Sequence, residues 1–207
     1  MSDNEVAKTQ AVSYHELEKT WGEFSERVRE LFDELNLGLL DWQCDHVALR
    51  VNTVANADQL KQDFLGKGGK VLSENRINGR PILIFALPSP LILNTLATPC
   101  VELPYPGDKI YSKPGWEHIE LVFPSTAQDC DVLEKELVLS LPHLKTVLNG
   151  EKEEIKIKKT TPKGDRERLA NPTIAFKKGN ICIKIHPRSI QEIIASEQMN
   201  QPRVTDS

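Results

Sequence analysis

The chain has 207 residues, 39% of them apolar, and a formal net charge of −4, which suits one larger domain or two small ones with a sizeable core. Mild acidity supplies no basic field to favour nucleic acid, and the absence of a run of about 18 apolar residues argues against a membrane span. The acidic start Met1-Ser2-Asp3-Asn4-Glu5 is unlike a signal peptide, and the four cysteines form no CxxC pair, so free thiols and a cytoplasmic setting are expected.

Residues 1–12 read as a disordered tail. Ser13 and Glu16 form a capping box that opens a helix. Leu17, Trp21, Phe24, Val28, Leu31, Phe32 and Leu35 then recur at helical spacing, and Gly38 is the expected stop. This N-terminal helical extension, residues 13–43, has one apolar stripe and must cover the domain that follows. From about residue 44 the pattern is strand, helix, strand, strand, strand. The strands are expected over His46–Val51, Lys70–Glu74, Arg80–Leu87 and Cys100–Leu103. The helix is expected to be capped by Asn56 with Gln59, to carry Leu60, Phe64 and Leu65, and to end at Gly66, Gly68 and Gly69.

The second half repeats this order. His118–Phe123 is a strand, and Ser125 with Gln128 is expected to cap a helix carrying Val132, Leu133 and Leu137. Thr146–Glu151 parallels Lys70–Glu74, Asn171–Phe176 parallels Arg80–Phe85, and Ile181–Ile185 closes the unit. Extra length between Glu151 and Arg168 reads as an extended, solvated hairpin, since its seven basic and five acidic residues nearly balance. Ser189 and Glu192 cap a last helix through Ile190, Ile193 and Ile194, and residues 200–207 form a second tail. The expected fold is therefore α+β: two βαβββ modules, residues 44–110 and 115–199, forming a cupped mixed sheet with an N-terminal helical extension.

The strand that begins each module carries an acid, a histidine and then strict alternation: Asp45-His46-Val47-Ala48-Leu49-Arg50-Val51 and Glu117-His118-Ile119-Glu120-Leu121-Val122-Phe123. Successive side chains on a strand point to opposite faces. One face is thus apolar throughout, and the other holds His46, Arg50, Glu102, His118, Glu120, Lys184 and His186. Histidine and carboxylate are ligands that first-row divalent metals prefer, so His46, Glu102 and His118 are the candidate ligands for iron, manganese, nickel or zinc. Arg50, Arg80 and Arg168 are candidates to bind a substrate carboxylate or phosphate, because arginine offers a bidentate fork. Glu120 reads either as a general base or as a partner for Lys184. Cys100 and Cys182 read as small core residues, and neither His15 nor His143 has an evident partner.

The paired modules and the strings HVALRV, VELPYPG and GWEHIEL resemble the vicinal oxygen chelate superfamily. The strings SENRINGRPI, VELPYPG, GWEHIELV, TPKGDRERLANPT and IHPRSIQEIIASEQ resemble, more closely, the YecM family within it, over roughly residues 14–198. The resemblance implies metal ligands on the first and last strands of each module, matched by His46, Glu102 and His118. The fourth position, usually a carboxylate in glyoxalase-type members, is Lys184 here, with His186 two residues on. An ammonium about 4 Å from a dication is opposed by roughly 8 kcal/mol at an effective dielectric of about 20. Charged Lys184 is therefore expected to stay out of the metal's coordination shell. The implied activity is that of a metal-dependent isomerase, lyase or dioxygenase on a small oxygenated molecule, with Glu120, Lys184 or His186 moving protons. A non-catalytic binder of the same fold is the alternative, and the protein is expected as a monomer or homodimer.

Overall fold

The computed structural model describes residues 10–39, 41–77, 79–161 and 169–198. Arg168 and most of the expected tails lie outside them. Helix α1 (Tyr14–Glu34) opens on the expected capping box: Ser13 Oγ accepts from the Glu16 N–H, and the Glu16 carboxylate accepts from the Ser13 N–H. It ends before Gly38, where Asn36 takes the left-handed conformation (φ 48°).

The first module comprises β1 (Gln43–Arg50), α2 (Val54–Gly66), β2 (Lys70–Ile77), β3 (Arg80–Leu93) and β4 (Leu96–Pro104). The second comprises β5 (Gly115–Val122), α3 (Cys130–Ser140), α4 (Leu144–Leu148), β6 (Lys156–Thr160), β7 (Thr173–Lys178) and β8 (Ile181–His186), and α5 (Ile190–Gln198) follows. All eight strands form one sheet in the order β2-β3-β4-β1-β5-β8-β7-β6. Each module therefore has the same internal order, and the two join through the antiparallel pair β1/β5. The hairpin turns closing the two modules both contain a left-handed residue, Asn94 (φ 54°) and Gly179 (φ 59°), which asparagine and glycine tolerate best.

One face of the sheet carries the main core. Val47, Val101, Leu103, Ile119, Leu121, Ile181, Ile183 and Ile185 are all buried there, as the alternation requires. Helix α1 closes over this face. Trp116 Nε1–H donates to the Leu17 carbonyl (2.9 Å), and the Trp116 ring lies 5.0 Å from Trp21 and 6.1 Å from Phe24. The opposite face is concave and is not left open throughout. Ile190 and Ile194 of α5 pack on Ile82, Ile84 and Cys100, filling the half that belongs to the first module.

Several local expectations shift. Thr146–Glu151, expected as a strand, is replaced by α4. Leu144 and Val147, three residues apart, both turn into the core, and Gly150 (φ 78°) follows the helix. The outer strand of this module is instead β6, which pairs with β7 along its whole length. Helix α2 is capped by Thr53 rather than Asn56, and α3 by Asp129 rather than Ser125. Asn56 instead bonds both backbone groups of Val12, tying the residues before α1 to the first module. His143 also gains a partner, since its Nε2 lies 3.0 Å from the Leu35 carbonyl.

Phe85 and Phe176 occupy equivalent positions in the two repeats, and both are fully buried. Phe85→Ala and Phe176→Ala are each expected to lower the unfolding free energy by about 3–5 kcal/mol, as read by urea denaturation.

Candidate metal centre

The central strand pair β1/β5 contains two register shifts, and each places an acid beside a histidine. Cys44 pairs with Leu121 and His46 with Glu120, so Asp45 is an extra residue on β1. Ala48 pairs with His118 and Leu49 with Trp116, so Glu117 is an extra residue on β5. An extra residue of this kind breaks the strict alternation of faces. Cys44 and Trp116 can then join the core side, while Asp45 and Glu117 accompany their histidines. The Asp45 carboxylate lies 3.1 Å from His46 Nδ1, and that of Glu117 lies 3.4 Å from His118 Nδ1.

Each acid is itself held from behind. Both Asp45 oxygens accept from the Ile190 N–H at the start of α5, at 3.0 and 2.8 Å. Glu117 pairs with the Arg50 guanidinium, which also lies 4.7 Å above the Tyr111 ring. A carboxylate that grips Nδ1 fixes the ring and aims Nε2 outward, the arrangement that usually orients metal-bound histidines.

The Nε2 atoms converge on Glu120. Its Oε1 lies 3.1 Å from His118 Nε2, 3.6 Å from His46 Nε2 and 2.8 Å from Lys184 Nζ. Its Oε2 lies 3.2 Å from His186 Nε2. His46, His118 and Glu120 offer three donor atoms all within 4.8 Å of one another, and all three residues are buried. Glu102 approaches from β4, with Oε2 3.6 Å from His46 Nε2.

The charges in this cluster interlock. Burial alone would drive His46 toward neutrality, but the charge of Glu120, the hydrogen bond to Asp45 and the nearby Glu102 carboxylate raise its pKa well above 6.5. Burial would protonate Glu120, yet Lys184 and His46 hold it ionised, well below the usual carboxylate range. Lys184 is desolvated, which favours the neutral amine, but Glu120 and Glu102 keep it charged. Burial pushes the Cys182 thiol up to about 11, so that residue is an inert small side chain.

The residues fit a first-row dication. Nε2 of His46 and of His186 are buried without a hydrogen-bond partner, although buried polar atoms are nearly always satisfied. Two imidazoles and a carboxylate form a donor set that iron, manganese, nickel and zinc accept. Among the residues expected from sequence, His46, Glu102, His118, Glu120, Lys184, His186 and Arg80 all surround this point or line the adjoining cavity. Arg50 is drawn away to Glu117 and does not line that cavity. Asp45, Asn171 and Lys158 line it as well, and alternation and spacing do not single them out. For Asp45 a signal does exist, in the acid that precedes each repeated histidine.

Burial raises the Glu117 carboxyl, but the hydrogen bond to His118 and the charges of His118, Arg50 and Lys184 outweigh this and bring its pKa from 4.5 to about 2. The stability it contributes is complete above pH 4.5 and is lost as pH falls toward about 2. At about 1.4 kcal/mol per unit, this is roughly 3 kcal/mol. Glu117→Gln is therefore expected to lower stability near neutral pH and to flatten the acid limb of the stability curve, as measured by urea unfolding at neutral and acid pH.

The YecM protein family profile matches residues 13–197. Protein YecM of Escherichia coli (strain K12) is 41% identical over 175 residues, which span 84% of this chain and 89% of the relative. An uncharacterised protein of Haemophilus influenzae is 34% identical over 176 residues, spanning 83% and 88%. The solved structure described as Structural Genomics, Protein EC4020, overlaps with a TM-score of 0.74 at 37% identity, covering 89% of this chain and 92% of that one. The paired-module fold, the extent of the profile match and these identities lead to one assignment: the chain belongs to the YecM family.

Proposed function

We propose that this protein binds a divalent metal through His46, His118 and Glu120, with Glu102 beside them, and acts there on a small molecule bearing two neighbouring oxygens. The observation that carries this reading is the convergence of two Nε2 atoms and a carboxylate oxygen within 4.8 Å, from histidines whose Nδ1 atoms are already taken by Asp45 and Glu117.

The exchange of residues between the modules supports it. Ala48 pairs with Glu102 across β1/β4, and Glu120 pairs with Lys184 across β5/β8. These are equivalent positions of the repeat. In the first module the carboxylate is on the last strand beside an alanine. In the second it is on the first strand, and a lysine faces it. Each module thus still contributes one histidine and one carboxylate. Lys184, which would repel a dication from the fourth position, instead neutralises Glu120.

A bound dication supplies Lewis acidity toward substrate oxygens. The chain supplies the rest. Lys184 holds Glu120 as an ionised ligand, so Glu120 is poorly suited to take a proton itself. The Asn171 side-chain amide approaches His186 Nδ1 (3.5 Å); donation there leaves the ring proton on Nε2, which faces the cavity. His186 is accordingly assigned the proton-moving role, with Lys184 orienting Glu120. One observation favours the alternative, a binder without turnover: the carboxylate nearest both histidines is held by an ammonium at 2.8 Å, which removes the most accessible general base.

Elemental analysis of protein purified without an affinity tag tests the reading. About one metal per chain is expected in the wild type, and none in His46→Ala or His118→Ala. Asp45→Asn, which loosens the grip on Nδ1, is expected to weaken metal affinity about 10–100-fold. Absence of stoichiometric metal after reconstitution with iron, manganese, nickel and zinc at near-neutral pH would sink the proposal. Bound metal with no turnover of α-keto, catechol or thiohemiacetal substrates would instead favour the binder.

A further inference from the structure

The concave face has a second chemical feature, a row of residues that runs outward from the histidines to β6. Cross-strand pairing defines a single row of residues: Lys158 faces Ala175, Ala175 faces Lys184, Lys184 faces Glu120, and Glu120 faces His46. Directly opposed residues share one face of a sheet. Every position in this row carries an ionisable side chain except Ala175, whose methyl leaves a gap between the two lysines. That gap lies in a cavity of about 540 Å³, lined by Ala175, Lys158, Thr160, Lys184 and, from the first module, Arg80. This volume is within the range of small-molecule sites.

The cations of the cavity differ in how they are used. Lys184 is committed to Glu120. Among the described residues, Arg80 and Lys158 have no carboxylate partner. They approach the cavity from different modules, Arg80 on β3 and Lys158 on β6. Lys158 stands three strand spacings from Glu120, about 14 Å at the backbone, and its long side chain shortens that span.

We infer that the ligand of this cavity is a small acid with an anionic group at both ends: one end lies at the histidine–carboxylate cluster, and a remote carboxylate or phosphate is received by Arg80 or Lys158, which line the cavity on either side of that cluster. This rests on the reading of the cavity as the functional site. The anion completes a charge arrangement that the fold leaves open, since the carboxylates Asp45, Glu102 and Glu120 occupy the central strands and, among the described residues, a cation without a carboxylate partner lines the cavity on either side of them. Lysines on an edge strand also discourage edge-to-edge pairing, but Lys158 is the β6 lysine that lines the cavity, whereas Lys159 is held by Glu134.

Two matched pairs of ligands test this by calorimetric titration of metal-loaded and metal-free protein. 2-Oxoglutarate is compared with 2-oxopentanoate, which lacks the remote carboxylate. 3-Phosphoglycerate is compared with glycerate, which lacks the phosphate. In at least one pair the remote anion is expected to tighten binding about tenfold or more, as a charge-assisted contact does, and the pair that responds identifies carboxylate or phosphate. The gain is expected to disappear in R80Q/K158Q and to shrink in Ala175→Met, which narrows the gap, while metal content stays at the wild-type level. Equal binding within both pairs, no binding of any of the four at millimolar concentration, or a gain that survives R80Q/K158Q would overturn the inference. If no metal binds but the gain is present in the metal-free protein, the inference stands and the metal proposal fails. If metal binds and the gain is absent, the metal proposal stands and the inference fails.

Discussion

The grip of a carboxylate on Nδ1 of a buried histidine, made twice across the central strand pair, is the constraint around which this site is arranged. A regular antiparallel ladder would send Asp45 and Glu117 to the apolar face, where an unpaired carboxylate is costly to bury. The extra residue at each register shift lets both acids turn with their histidines. It also returns Cys44 and Trp116 to the core side, where Trp116 meets α1. One local irregularity, used twice, thus serves the packing of the outer helix and the chemistry of the inner face.

The two grips are not anchored in the same way, and the difference matters. Asp45 is held by a backbone N–H at the start of α5, Glu117 by a guanidinium. The first ties His46 to the docking of a helix that fills half of the concave face. The second ties His118 to Arg50, so that an arginine suited by type to bind substrate instead orients a histidine through its acid. A similar division separates the paired carboxylates, where Glu102 keeps the position expected of a ligand and its counterpart is displaced by one strand and answered by Lys184.

The fold is largely legible in the sequence because its signals are local. The capping box at Ser13, the alternation in the strands and the repeated order of elements each need only a short window. Thr146–Glu151 misleads because a brief apolar stretch suits strand and helix alike; the burial of Leu144 and Val147 three residues apart decides for the helix. At the site, alternation places His46, Glu102, His118, Glu120, Lys184 and His186 on one face. It gives their side, not their separation. The role of Glu120 depends on which strand lies next to which, and the redirection of Arg50 depends on Glu117 entering the inner face through a register shift. Neither follows from residue spacing along one strand.

The contact between Asp45 and the Ile190 N–H joins residues 145 positions apart. Contacts of such long range form slowly, because the chain entropy between them must be surrendered first. During synthesis the first strand emerges long before the helix that will cap its aspartate. Until then His46 lacks a fully anchored partner, and Ile82 and Ile84 lack the cover of Ile190 and Ile194. Completion of the histidine cluster therefore waits on the C-terminal helix, and a chain that stops before α5 would present a sheet with an unfinished site rather than a prematurely reactive one.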